Sequence, residues 1–204
     1  MAALLVGACA ASGLGAGSLV RRGRPYTELS TATLFAAAGL RFGFDAVLPA
    51  YCLFFAVLVT VAAVDVEQRV IPNRVLRPAM ALTVLLLGGA AIVDGAGGAA
   101  LDALIGGALA FAAMFLVHLG QPRGLGFGDV RLAGFIGLYL GWLGLGDVAV
   151  GLVLGFLLAA VAGLVLIAAT GRGFMVRLPF APFLGAGAVL AVLWGGPLAR
   201  VSSG

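Results

Sequence analysis

Residues 46–73 read AVLPAYCLFFAVLVTVAAVDVEQRVIPN. The stretch 46–64 carries no charged side chain, and a helix needs roughly 20 apolar residues to cross the ~30 Å hydrocarbon core of a bilayer. The run stops at Asp65. Pro72 then forbids a simple continuation of the helix, and Asn73 favours a turn. A membrane-spanning helix followed by a charged, turn-forming loop is the pattern, and it sets the fold class: an all-α bundle of transmembrane helices.

The same pattern recurs along the chain. Apolar runs between charged or turn-rich breaks give candidate spans near 2–20, 28–44, 46–64, 78–93, 99–119, 129–143, 147–169 and 179–198, about eight in all. The run 129–143 and the Arg41-bearing 28–44 are short of the usual length, and such segments tilt, shorten or break. Of the 204 residues, 63% are apolar and 10% charged, and the mean hydropathy is +1.19. Soluble domains sit near 45–50% apolar and about 25% charged. The loops are too short to be domains, so residues 1–204 are expected to form a single integral membrane domain.

All twelve basic residues are arginine. With an N-terminus outside, ten of them fall in loops on the cytoplasmic side (Arg21, Arg22, Arg24, Arg69, Arg74, Arg77, Arg123, Arg131, Arg172 and Arg177), leaving Arg41 and Arg200 outside. That asymmetry is the positive-inside signature for eight spans with both ends outside. The net charge of +4 is thus a topology signal. It does not form the single basic face that nucleic-acid binding requires.

The first apolar run lacks a basic segment before it and is followed by the arginine cluster, which fits a retained anchor better than a cleaved signal. Cys9 and Cys52 both lie in predicted spans without a CxxC pattern, so they are expected to be packing residues. No ligand cluster for a metal is visible, and no cofactor is expected. His118, the one histidine, falls at the end of the fifth span, where an interfacial side chain is the simplest expectation.

Charges inside apolar spans are costly, which makes the eight acids the shortlist for chemistry. Asp45 and Asp94 fall at expected turns, and Asp102 lies one turn into the fifth span, near the outer surface. Asp65 and Asp129 differ. Both sit at cytoplasmic ends of spans, on one side of the membrane. Asp129 closes Gly126-Phe127-Gly128-Asp129, where the two glycines permit positive φ and close approach of another chain. A second GxGD, Gly144-Leu145-Gly146-Asp147, falls in an outer turn, where Asp147 is expected to cap the seventh span.

Two close carboxylates sharing one proton can hydrolyse a peptide bond. They cannot both ionise easily, so one acts as base toward water and the other as acid toward the substrate. That chemistry needs neither a metal nor a nucleophilic side chain.

In several places the residues resemble the type IV prepilin peptidases, a GxGD class of intramembrane aspartyl protease. Residues 25–35 (PYTELSTATLF) resemble the family's opening of its second span; Asp65 to Asn73 resembles D-x-E/D-x-x-x-I-P-N/D; GFGDVRL at 126–132 resembles GxGDxKL; LPFAPFL at 178–184 resembles PFGPFL. The four blocks occur in the family's order, from about residue 13 to 190. The resemblance implies that Asp65 and Asp129 are the catalytic pair, that Gly126 and Gly128 shape a substrate loop, and that Pro72 and Asn73 fix the turn after the first aspartate. Glu28 and Glu67 match family blocks without a defined role. It further implies a bacterial inner-membrane enzyme with its site facing the cytoplasm. Its substrates would be prepilin or pseudopilin precursors with a short basic leader, a glycine before the cut and an apolar helix after it.

Many family members carry paired CxxC motifs between the first two spans, associated with N-methylation of the new amino terminus. Here residues 17–28 run straight from GSLVRRGR into PYTE, so a peptidase without methylation, and without S-adenosylmethionine, is expected. Glycine faces such as Gly134/Gly137/Gly141 and Gly151/Gly155 allow close helix packing, within the bundle or in a homodimer. The competing classes are a small transporter or channel subunit and a non-enzymatic assembly protein. A transporter would place acids near mid-span and show inverted halves; neither is visible.

Overall fold

A computed structural model describes residues 25–121, 125–170 and 179–201. Those residues form seven helices: α1 (Pro25–Phe42), α2 (Leu48–Gln68), α3 (Asn73–Asp94), α4 (Gly97–Gly120), α5 (Phe127–Leu143), α6 (Leu145–Thr170) and α7 (Ala181–Val201). The all-helical expectation holds. The predicted span 2–20 and the segment 17–24 lie outside the described residues.

Four helices, α2, α3, α4 and α6, are long and apolar enough to cross a membrane. They turn large apolar side chains outward, among them Leu85, Ile92, Leu101, Leu116, Leu164 and Val165. A protein in water rarely exposes so continuous an apolar surface; the chain is an integral membrane protein.

α5 is the axis of the bundle. It has 17 residues, and every residue from Leu132 to Gly141 is buried, as is Val130. Helices α2, α3, α4, α6 and α7 all contact it. The tightest pairing is with α4, and glycine is the reason: a Cβ added at Gly106 would stand 2.7 Å from the Gly137 carbonyl oxygen, and one at Gly107 2.8 Å from Leu138 Cδ2. On the other side a Cβ at Gly187 of α7 would stand 2.6 Å from the Gly151 carbonyl oxygen of α6. Both glycine faces singled out in the sequence are therefore used between helices of one chain, where dispersion and close backbone approach replace the hydrophobic driving force absent in lipid.

Two boundaries near the acids differ from expectation. α2 does not stop at Asp65 but runs on to Gln68. A proline ring clashes with the carbonyl four residues before it, and the residue before proline avoids the α region; Pro72 therefore ends the helix at Gln68, not at the first charge. Asn73 is not in a turn. It is the first residue of α3, with extended Pro72 (φ −73°, ψ 113°) at the cap, so the Arg74–Arg77 turn is helical and polar beyond the apolar run.

The turn expectations elsewhere hold. Asp45 lies between α1 and α2, its N–H bonded to the Phe42 carbonyl at 3.2 Å, and Asp94 ends α3 directly before left-handed Gly95 (φ 66°). Asp147 stands in the first turn of α6, not at its cap.

Candidate active site

Asp65 occupies the last turn of α2. That turn is closed by Arg69, whose left-handed conformation (φ 52°, ψ 36°) lets its N–H bond back to the Asp65 carbonyl at 2.8 Å. Arg69 is the non-glycine residue with positive φ among the described residues, a geometry that costs an L-residue roughly 1–2 kcal/mol. Asp65 itself is 5% exposed. The C-terminus of its own helix disfavours an anion, but its Oδ2 accepts the backbone N–H of Ala181 at 3.1 Å. Ala181 opens α7, so the positive end of another helix faces the carboxylate.

The Pro179–Leu184 segment explains that donor. Pro182 has no N–H, and the N–H groups of Phe183 and Leu184 both bond to the Phe180 carbonyl at 3.1 Å. The Ala181 N–H is left to Asp65. This contact was not foreseen from the sequence; a helix start with a proline at its second position was the available signal.

Asp129 sits in the first turn of α5. Its N–H donates to the Gly126 carbonyl at 3.0 Å, and the Gly126 N–H donates to Asp129 Oδ2 at 3.1 Å. This reciprocal pair is a capping arrangement that holds the carboxylate at the helix N-terminus. Asp129 lies outside the four long apolar spans. Its carboxyl is pushed up from 3.8 to about 6, chiefly by burial and then by the negative charge of Asp65, against the lowering pull of the backbone N–H groups.

The two glycines act by closeness and not by handedness. Gly126 has φ −72°, and neither it nor Gly128 is among the positive-φ glycines. A Cβ at Gly128 would stand 2.9 Å from Ile71 Cβ, and one at Gly126 3.3 Å from Asp129 Oδ2. The chain that approaches Gly128 most closely is thus this protein's own loop after α2.

Asp65 and Asp129 line one cavity of about 330 Å³, together with Arg69, Val70, Ile71, Asn73, Gly126, Phe127, Gly128 and Arg131. That is room for several waters at ~30 Å³ each. Asn73 accepts a hydrogen bond from Arg131 Nη1 at 2.6 Å, and the Arg131 guanidinium lies 4.7 Å from the Phe127 ring centre. In the sequence Arg131 counts as a topology charge and stands in the block that resembles GxGDxKL; its contact with Asn73 is visible only in the structure. Pro72, Glu28 and Glu67 do not line the cavity; Pro72 acts one step back, at the cap of α3. His118 is neither at the cavity wall nor a simple surface residue: its Nδ1 pairs with the Leu125 carbonyl at 2.7 Å, just ahead of Gly126.

The second GxGD is remote. Asp147 follows the far end of α5, whose 17 residues span roughly 25 Å at 1.5 Å per residue. Among the described residues there is no group of three or more His, Cys, Asp or Glu side chains that could hold a metal ion. What the cavity can do chemically is hold water beside the two carboxyl groups that line it.

The profile of the type IV leader peptidase family matches residues 52–193. The chain is similar to the prepilin leader peptidase/N-methyltransferase of Bacillus subtilis (strain 168), 34% identical over 175 residues, covering 84% of this chain and 66% of that protein. It is similar to the protein of the same name from Burkholderia pseudomallei (strain 1026b), 33% identical over 181 residues, covering 85% and 55%. A third such protein, from Aeromonas hydrophila, is 30% identical over 183 residues, covering 86% and 60%. The chain therefore spans just under two thirds or less of these relatives' length. No solved structure matches it. The matched segment contains Asp65, Asp129 and the cavity between them, and on that match the chain belongs to the type IV leader peptidase family.

Proposed function

We propose that this chain is an aspartyl endopeptidase that removes the short leader peptide from type IV prepilin or pseudopilin precursors. The observation that carries the proposal is the shared cavity: Asp65 and Asp129, from different helices, both open onto it. Peptidase family membership and the names of the relatives support the substrate class.

The chemistry balances without a cofactor. One aspartate, ionised, takes a proton from water as the water oxygen bonds to the scissile carbonyl carbon. The other, protonated, gives its proton to the carbonyl oxygen. The tetrahedral intermediate collapses as a proton passes to the amide nitrogen and the C–N bond breaks, releasing the leader as an acid and the precursor with a new amino terminus. Gly126 presents Asp129, Gly128 admits Ile71, and Pro72 and Asn73 set the start of α3. Glu28 and Glu67 keep the undefined supporting place that the family blocks imply.

The proposed setting is a single domain over residues 1–204 with about eight spans in a bacterial inner membrane, both ends outside and the cavity facing the cytoplasm. The arginine distribution supports that orientation. The absence of cysteine pairs in residues 17–28 supports a peptidase that does not methylate; methylated N-terminal residues after incubation with pure enzyme and S-adenosylmethionine would refute this.

The test is leader cleavage of a prepilin-like peptide in detergent by wild type, Asp65→Asn, Asp129→Asn and Asp147→Asn, each checked for folding. Loss in the first two by ~10³-fold or more, with Asp147→Asn retained, is expected for a pair acting as a unit. Cleavage by both cavity variants at the wild-type rate would end the assignment.

A further inference from the structure

Helices α3 and α5 are tied by hydrogen bonds at two depths. The deep one joins Thr83 Oγ1 to the Tyr139 hydroxyl at 2.8 Å inside the apolar core. The other lies at the cavity, where Arg131 Nη1 donates to Asn73 Oδ1 at 2.6 Å while its guanidinium lies over the Phe127 ring. The first belongs to the bundle. The second joins α5, which carries Asp129, to the first residue of α3, where the loop that follows Asp65 ends.

Asp65 and Asp129 reach the cavity by different routes. Asp129 is fixed in the first turn of α5 by its reciprocal bonds with Gly126. Asp65 is followed by one more turn of α2, then by the non-helical residues Arg69 to Pro72, then by Asn73 at the start of α3. A segment without helical hydrogen bonds keeps one geometry only where something outside it holds it. Two contacts do so here: Ile71 against Gly128, which is steric, and Asn73 against Arg131, which is directional. Phe127, Gly128 and Arg131 all lie within the first five residues of α5. A planar guanidinium that donates along its plane and stacks by its face is confined in more degrees of freedom than an ammonium would be.

We propose that Arg131 is a positioning residue: through Asn73 and Phe127 it locks the loop after Asp65 onto the first turn of α5 and so sets how the two carboxylates face each other. Its catalytic consequence rests on the peptidase function proposed above; the locking itself does not. The effect is geometric and does not depend on the positive charge. Removing Asn73, which leaves the charge in place, therefore has the same consequence as removing Arg131.

The experiment uses the full-length protein in detergent, with Arg131→Ala, Arg131→Lys, Asn73→Ala and the Arg131→Ala/Asn73→Ala double variant. Initial rates on a prepilin-like peptide are measured beside hydrogen exchange of peptides covering 66–73 and 126–131, with peptides from the α4–α5 contact as the folding control. The expected result is a kcat lowered by ~10²-fold in both single alanine variants, the scale of a carboxylate displaced by about 1 Å. KM should change less than about threefold, as for an interaction lost in the transition state rather than in ground-state binding. The double variant should be no worse than either single one, Arg131→Lys should lie between, and exchange should quicken in the two loop peptides alone.

Additive losses, or Asn73→Ala with wild-type kcat beside an impaired Arg131→Ala, would overturn the proposal in favour of a charge effect. Unchanged exchange in both single variants would overturn it as well. If the wild type fails to cleave any prepilin-like peptide, the peptidase proposal falls, and exchange alone decides the lock: quicker exchange sustains it and unchanged exchange ends it.

Discussion

The backbone N–H of Ala181 donates to Asp65 Oδ2 at 3.1 Å across 116 residues of sequence, with both residues buried. A carboxylate at the unfavourable end of its own helix is thereby placed at the favourable end of another.

Removing that donor should therefore disturb Asp65 without touching either side chain proposed to react. Ala181→Pro deletes the N–H at a first helical position, where proline fits the backbone. The loss of a hydrogen bond to a charged group corresponds to about 1.5–3 kcal/mol. Cleavage should fall by one to two orders of magnitude on that scale, and thermal stability should fall with it, whereas Ala181→Gly should retain most activity. Equal activity in the two variants would show that this bond does not support Asp65.

The pH dependence follows from Asp129. Burial and the Asp65 charge both oppose its ionisation, so it keeps a proton up to about 6. As pH rises through that value the pair loses its shared proton and no acid remains, so kcat/KM should decline with a one-proton limb near 6. The stability sign is the same. The folded carboxyl binds its proton more tightly than an unfolded one near 3.8, so this contribution is present below 3.8 and lost as pH rises through about 6. Carbon-13 NMR of labelled aspartate should show Asp129 titrating lower in Asp65→Asn, because a repelling charge has gone. An unmoved titration would mean that the two carboxylates are not coupled.

Gly128→Ala should destabilise by about 1–3 kcal/mol, the usual cost of overpacking, since its Cβ would meet Ile71 Cβ at 2.9 Å. Shortening the neighbour tests the cause. Thermal unfolding in detergent should show Gly128→Ala/Ile71→Gly, in which the Cβ that the new methyl would meet is gone, recovering part of the loss that Gly128→Ala suffers alone. A double variant less stable than either single one would point to another source of strain.

Tyr139→Phe probes the core apart from the site. It removes the 2.8 Å bond to Thr83, but Thr83 keeps its bond to the Ala79 carbonyl at 2.8 Å, so no buried group is orphaned. A cost near 1 kcal/mol is expected, with cleavage per folded molecule unchanged. A large loss of kcat would show that the deep α3–α5 tie also governs the cavity.

Much of this was legible in the sequence because of what lipid demands. Backbone polar groups in hydrocarbon must be satisfied within the segment, so long apolar runs can only be helices or barrel strands, and their length separates the two. The helices α4, α5 and α6 lie within two residues of their predicted runs at each end. α2 outruns its predicted stop and ends at Gln68 because the first charge does not end a helix, whereas Pro72 excludes the α conformation several residues later. The two GxGD copies are told apart by the number of spans between them, and past the aspartate only the first, GFGDVRL, resembles GxGDxKL, where the second reads GLGDVAV.

By itself the sequence determined the helical membrane class, the blocks that carry the family resemblance, and the choice of Asp65 and Asp129 from eight acids, because charge in an apolar span must have a reason. Tertiary structure alone decided the partners of those carboxylates. It placed the Ala181 N–H on Asp65, the Gly126 N–H on Asp129, Ile71 against Gly128, and Arg131 on Asn73. Three of these four contacts join different elements. Periodicity and composition act along one helix, while the glycine faces that bring α4, α5, α6 and α7 within backbone reach set which helix ends meet.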